Sequence, residues 1–502
     1  MKTIRILCGI ILATAAVRAA DPVESDYYKI TTFDTPKETA LEVSSIELLP
    51  DNKLAVGTRR GEIWTVSNAG SEPANVKYQL FASGQHEVLG LAYKDGWLYE
   101  TNRYEVARLK DTRGDGRANI FETVSDKWGV SGDYHEYAFG SRFDKNGDLW
   151  VLLCLTGSFS SAAEFRGWAL RVKPDGTTIP TCSGIRSPGG IGFDADGEVY
   201  YTDNQGPWRG ANNLGHLVPG SFQGHPGGNK WYEKAPNMGP RPVDPIPEAF
   251  QGARKRGDKT PHVDPDRLEA ERKRIKQLVP PAVYMVYGKI GNSSSFIVCD
   301  LSGGKFGPFA KQLFVADQSH SNIARVFLEE VNGVKQGVVF PFLKGFKSGL
   351  IGGRMNDRGQ LFAGGSDRGW GAKGGQPFSF ERVDWTGKVP FEVLAMHAKP
   401  DGFELTFTES VDTKTAGNVA NYSARQFTYA YREEYGGPEV DDVFPKITKA
   451  CVSADGKSVR LTFDKLIQGD IHELHFDGVK SADGRPVLHP VGYFTLNEIP
   501  SK

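Results

Sequence analysis

Apolar and polar positions along this chain alternate in short runs, each opened by a tight turn. "LPDNKLAVGTRRGEIWTV", "LAYKDGWLYETNRYEVARL", "FDKNGDLWVLL", "FDADGEVYYTDNQG", "GPFAKQLFVADQSHSNIARV" and "MNDRGQLFAGGSDRGW" share one grammar. A turn carrying Asp, Asn or Gly is followed by a period-two strand, a polar loop and often a second strand. The turns fall near Asn52, Gly96, Gly147, Gly197, Lys311 and Gly359. Most neighbours stand about 45–50 residues apart, the spacing of four-stranded propeller blades. Six copies predict a six-bladed β-propeller over residues 21–388.

The interval between the fourth and fifth copies is more than twice the others. It holds a Pro-rich, charged segment at 226–281, read as an insertion between blades. Its helical stretch is "DPDRLEAERKRIKQL", with Asp264 or Asp266 as cap and Glu–Arg/Lys pairs along it. After Trp385 the pattern changes. "FELTFT" and "VRLTF" alternate strictly and turns come at sandwich spacing, so 389–502 predicts a small Ig-like β-sandwich. The fold class is therefore all-β.

Composition sharpens this picture at three points. With 59 Gly and 29 Pro beside 39% apolar residues, the chain suits many short strands rather than disorder. A formal charge of -1 gives no electrostatic case for nucleic acid. Residues 1–20 read as an export signal: Lys2 and Arg5, the apolar run "ILCGIILATAAV", then small residues up to Ala20. No later run is apolar enough to span a membrane, so a secreted or periplasmic protein is expected. Four cysteines follow the signal, Cys154, Cys182, Cys299 and Cys451; scattered and without a CxxC pair, they read as buried thiols on strands, while an oxidising compartment would also allow a Cys154–Cys182 bridge between neighbouring blades. No CxxCH motif occurs, so no c-type haem is expected on this chain.

In a propeller the loops at one end of the blades surround the central channel. The candidates there are Gln85-His86-Glu87, His135-Glu136, Arg186, the run Asn204 to Pro207, His225, Gln318-Ser319-His320, Arg354 and the segment from Ser366 to Gly371. "DTRGDGRANIFE" has two readings. It resembles an EF-hand calcium loop through Asp111, Asp115, Gly116 and Glu122, or it is a tight inter-strand turn, since Arg113 stands where a ligand belongs.

Three segments resemble the soluble quinoprotein glucose and sorbosone dehydrogenase group across roughly the propeller. They are "GQHEVLGLAY", "YHEYAFGSRFDKNGDLWV" and, most specifically, "GIRSPGGIGFDADGEVYYTDNQGP". That family consists of secreted six-bladed propellers that bind pyrroloquinoline quinone (PQQ) and calcium. The resemblance implies His135 as the base that takes a substrate hydroxyl proton and Arg186 as the cation beside the quinone. It implies cofactor contacts from Gln85, Arg186, Ser187, Gln205 and Arg354, and calcium held by the carbonyls of Gly206 and Pro207. Ser187 stands where the family has Asn.

The expected activity is oxidation of a sugar or polyol, with electrons passing to a separate, cytochrome-type acceptor. Two other readings remain open. One is a carbohydrate lyase or hydrolase with a divalent metal held by His86, His135, Glu136, His225 or His320. The other is a non-catalytic glycan-binding propeller.

Overall fold

The computed structural model describes residues 21–245, 268–369 and 371–501. The export signal expected at 1–20 and the caps Asp264 and Asp266 lie outside the described residues.

Six four-stranded antiparallel sheets follow one another along the chain. Their innermost strands are Val43–Leu48, Gly90–Lys94, Ala138–Phe143, Pro188–Phe193, Ser294–Cys299 and Gly352–Met355, numbered here as blades one to six. The second strand of a blade is covered on both faces, and its sequence shows it: Leu149–Leu153 is "LWVLL" with every residue buried. Outer strands such as Lys77–Ala82 alternate, with Lys77 and Gln79 exposed. Inner strands of neighbouring blades approach each other where side chains would not fit. A Cβ on Gly90 would sit 2.5 Å from the Cα of Gly140 in the next blade.

Ring closure uses the N-terminus. Tyr28–Thr32 forms the outer strand of blade six, in register from Tyr28↔Trp385 to Thr32↔Glu381. This joins the two ends of the ring and leaves no open blade.

The long insertion lies within blade four, not between blades. It separates the third strand, Asn212–His216, from the fourth, Val283–Met285. The sequence hides this because the fourth strand has only three residues. The described part of the insertion returns along blade three, where Phe222 bridges both Ser183 and Leu278. Among the described residues its α-helix covers Leu268–Arg274.

Beyond residue 388 two four-stranded sheets pack face to face. One is Val393–Lys399, Gly402–Phe407, Ser458–Phe463 and Ile447–Val452; the other is Glu439–Val443, Ser423–Tyr429, Ile471–His475 and Val491–Thr495. Met396, Phe403, Leu405, Leu461, Phe476 and Phe494 fill the space between them. This sandwich is joined edge to edge with the propeller. Val491–Thr495 pairs with the outer strand of blade five, Val334–Lys344, through Gly337↔Thr495, Val338↔Phe494 and Val339↔Tyr493. The shared sheet runs to eight strands.

Candidate active site

The site is built on one corner of blade four. The hairpin from Pro188–Phe193 to Val199–Asp203 turns at Asp194, whose Oδ1 accepts the N–H groups of Asp196 and Glu198 at 2.9 Å each. Asp203 ends the second strand next to the Arg186-Ser187 corner that precedes the first. Its carboxylate accepts the N–H of Ser187 at 2.7 Å and of Arg186 at 3.0 Å. Arg209 donates to the same carboxylate at 3.0 Å and to the carbonyl of Gly184 at 2.8 Å. Both members of this ion pair are buried, so the corner is held by a charge that is fully compensated.

The corner aims two side chains at the channel. Arg186 folds back over the Asn204–Gly206 backbone and donates to the carbonyl of Gln205 at 2.7 Å. A Cβ on Gly206 would sit 2.2 Å from the guanidinium carbon, so only glycine lets the side chain lie there. The Nε of Arg186 and the Oδ1 of Asn204 are buried without a hydrogen-bond partner. Ser187 presents its hydroxyl to His135 Nε2 at 3.1 Å.

His135 is oriented from behind. Its Nδ1 lies 2.7 Å from the carbonyl of Leu155, which can only accept, so Nδ1 carries the proton and Nε2 has a free lone pair. Burial pushes the imidazole down to about 4, and the nearby Arg186 charge acts in the same direction. The ring is therefore neutral at pH 7.

His135, Arg186, Ser187, Asn204 and Gln205 line a cavity of about 640 Å³ at one mouth of the channel. A narrower recess of about 70 Å³, shared by His135, Ser187 and Asn204, adjoins it. Blade five repeats the device of blade four. Asp317 ends its second strand and accepts the N–H of Ser293 and of His320, each at 2.7 Å, so His320 joins the same cavity. Lys373 adds a second cation to the wall.

Several sequence expectations need correction. Arg354 faces a different cavity of about 280 Å³ at the opposite end of the channel, beside Arg142 and paired with Glu47 at 3.2 Å. Gln85 does not line the cavity; its backbone N–H is tied to Gly61. The Gly206 carbonyl already accepts the N–H groups of Arg209 at 2.9 Å and Gly436 at 3.0 Å, and Pro207 is bridged to Tyr435. The Asp111 loop is the tight turn. Asp111 accepts the N–H groups of Arg113, Gly114 and Gly116, Asp115 pairs with Arg113, and Glu122 pairs with Arg108. Among the described residues, no three His, Cys, Asp or Glu side chains are grouped as a metal site. Glu136 is spent on Ser131 and Thr156. Cys154 and Cys182 are free thiols in one blade.

Sequence reasoning missed the sandwich's part in the site. The loop between Ser423–Tyr429 and Glu439–Val443 reaches blade four. Trp208 donates its N–H to the carbonyl of Arg432 at 2.8 Å, and Tyr431 donates its hydroxyl to the carbonyl of Gly224 at 2.5 Å. This seats Tyr435 on the cavity wall, with the Arg186 guanidinium 5.0 Å from its ring centre.

No protein-family profile and no curated protein matches the chain. Among solved structures it is similar to the PQQ-bound aldose sugar dehydrogenase from Streptomyces coelicolor, at 14% identity over 73% of this chain and 100% of that one, with a TM-score of 0.45. It is similar to the PQQ domain of pyranose dehydrogenase from Coprinopsis cinerea, at 10% identity over 71% and 95%, with a TM-score of 0.46. It is also similar to a family AA12 carbohydrate-active enzyme from Trichoderma reesei, at 11% identity over 73% and 98%, with a TM-score of 0.47. With TM-scores below 0.5, these likenesses carry no argument about this chain. The strand pairing of the chain itself establishes the six-bladed propeller.

Proposed function

We propose that this chain is a quinone-dependent dehydrogenase of sugars or polyols, exported from the cytoplasm and passing electrons to a separate acceptor. One observation carries the reading: a buried arginine and a neutral histidine whose unprotonated Nε2 meets only the Ser187 hydroxyl share one polar cavity at the propeller mouth.

The donor set accommodates a quinone. Arg186 and Lys373 are the cations on the cavity wall that would hold its carboxylates. It does not accommodate calcium at Gly206, whose carbonyl is taken by two backbone amides. When bound, the quinone supplies a two-electron acceptor for the substrate's C–H hydride. His135 takes the hydroxyl proton on Nε2, and the Leu155 carbonyl keeps the ring in the right tautomer. Arg186, fixed by Gln205 and supported through Asp203, presents positive charge where oxygen gains electron density. Ser187 lies within hydrogen-bond reach of the same nitrogen and orients the incoming hydroxyl.

The metal-dependent lyase or hydrolase reading keeps His135 and His320 on the cavity wall, but buried His225 spends Nδ1 on the Gly227 N–H and two further candidate ligands are engaged elsewhere. His86 stacks edge-on against Tyr104, and Glu136 is consumed by its own loop.

The test is oxidation of an aldose panel with a dye acceptor, with and without added PQQ. Dye reduction that requires PQQ supports the reading. Product formed with no acceptor, or no dye reduction with any sugar, overturns it.

A further inference from the structure

Eight aromatic side chains among the described residues stand exposed, and four of them line the one cavity described above. They are Tyr134 (62% exposed), Phe159 (61%), Tyr435 (58%) and Tyr287 (40%). They come from separate parts of the chain. Tyr134 lies on the link from blade two to blade three, Phe159 between the second and third strands of blade three, Tyr287 follows the last strand of blade four, and Tyr435 comes from the sandwich. Phe159 and Tyr435 face each other across the rim with centroids 6.4 Å apart at 50°. Fourfold convergence on one opening is unlike the single apolar residues normally scattered over a surface.

We propose that this collar is an extended saccharide subsite, so that the substrate is an oligosaccharide whose outer pyranose rings lie against Phe159 and Tyr435 while one sugar reaches His135. This rests on the sugar dehydrogenase reading and adds the length of the substrate. A pyranose has an apolar face of polarised C–H bonds and a rim of hydroxyls. Aromatic faces carry the negative charge that such C–H groups meet favourably. Asn204, Gln205 and Asn292 also line the cavity; Gln205 spends Nε2 on the Gly210 carbonyl and Asn292 its Oδ1 on the Gly288 N–H, and the other ends of these two amides are the groups for sugar hydroxyls. Tyr134 lies beside His135, with ring centroids 5.9 Å apart, while Phe159 and Tyr435 pair with each other and remain more than half exposed, leaving aromatic surface for further sugar rings. Tyr435 gives the sandwich its role, because the collar is incomplete without it.

The test titrates the full chain calorimetrically with glucose, cellotriose and maltotriose, without quinone or electron acceptor. One or both trisaccharides should bind at least about ten-fold more tightly than glucose, roughly 1.4 kcal/mol. Tyr435→Ala and Phe159→Ala should each pull the trisaccharide-to-glucose affinity ratio toward one. Both side chains are exposed and the loop backbone is held by Arg432, Gly436 and Gly437, so the fold should survive; an unchanged Tm checks this. Phe121→Ala, an exposed aromatic on the outer strand of blade two, should leave the ratio intact. Equal affinity for all three sugars, or a ratio untouched by Tyr435→Ala, overturns the subsite. A trisaccharide preference lost in Tyr435→Ala without dye reduction on adding PQQ would keep the collar and remove the dehydrogenase reading. Glucose oxidation without a trisaccharide preference would do the reverse. If Tyr435→Ala alters only the KM for a protein electron acceptor, the collar is a docking surface and the saccharide proposal falls.

Discussion

Arg186 lies between two parts of the molecule that the chain keeps far apart. Its guanidinium donates to Gln205 in blade four and rests 5.0 Å from the ring centre of Tyr435, which the sandwich delivers. Sandwich and propeller therefore meet at this mouth. A lysine at this position keeps the charge but has neither the planar fork nor the flat face. Arg186→Lys is expected to lower kcat/KM by about ten-fold or more, because a charge-assisted hydrogen bond and a cation–π attraction are both weakened. Steady-state kinetics with dye and PQQ check this; wild-type kinetics in Arg186→Lys would show that charge alone suffices.

The support under that corner can be broken separately. Asp203 is fully buried and neutralises Arg209 while holding two backbone amides. Asp203→Asn leaves the guanidinium without its counter-charge, and losing one partner of a buried pair costs about 3–5 kcal/mol. The expected result is a clearly lowered Tm. A variant that melts with the wild type would mean that Arg209 finds other compensation.

Two sets of histidines set opposite pH limits. Burial pushes His135 down to about 4 and His472 down to about 3. Unfolded, each takes a proton near 6.5, so stability present above pH 6.5 is lost as pH falls toward these values. For His489 burial alone would lower the pKa, but the Glu392 and Glu24 carboxylates outweigh it and raise it to about 9. Its contribution is complete below pH 6.5 and is lost as pH rises through 9. Tm should peak near neutrality, and His489→Gln should flatten the alkaline side. An unchanged alkaline slope in that variant would remove His489 as its cause.

The opening stretch of blade four was legible because it is local. Turn, strands and clamped corner lie within Gly184 to Pro207, and strand alternation with an Asp-Gly turn announces most of it. The clamp had a signal that went unused: "VYYTD" and "LFVAD" both end a second strand in Asp, and both carboxylates hold the backbone at a neighbouring strand's start. Tyr28–Thr32 and Val283–Met285 were harder, since a strand of five or three residues becomes a strand only when a distant edge accepts it. Tyr435 carried no signal at all. Its place is set by hydrogen bonds between the sandwich loop and blade four, Trp208 to Arg432 and Tyr431 to Gly224, which join segments that sequence periodicity treats as independent. Arg354 went to the wrong end of the channel because a repeat unit does not say which mouth a given turn faces.

Calcium dependence is a sharp consequence of hydrogen bonding. Calcium needs six to eight oxygens. The Gly206 carbonyl is taken by Arg209 and Gly436, and the Asp111 carboxylate by three amides of its own loop. Excess chelator should leave Tm unchanged. A fall that added calcium restores would require Gly436 to release Gly206 and would revive the ligand set implied by the family resemblance.

His135 is the residue on which the catalytic reading turns. Its Nδ1 proton is committed to Leu155 and its Nε2 lone pair is free toward Ser187 and the cavity. His135→Gln can keep a donor toward Leu155 but has no basic nitrogen, so turnover should fall by about 10²–10⁴-fold with the fold intact. Because burial holds the imidazole near 4, the His135-dependent part of the pH–rate profile should be level from about pH 5 upward and fall only below that. Ser187→Ala separates base from orienter. It leaves the basic nitrogen in place and removes one hydrogen bond, so it should cost roughly ten-fold and keep the same acid limb. A pH profile whose acid limb sits near 6.5 would describe a solvent-exposed imidazole, contrary to the burial of His135. A His135→Gln enzyme with normal turnover would move the proton to another acceptor, and His320, on the same cavity wall, is the next group to test.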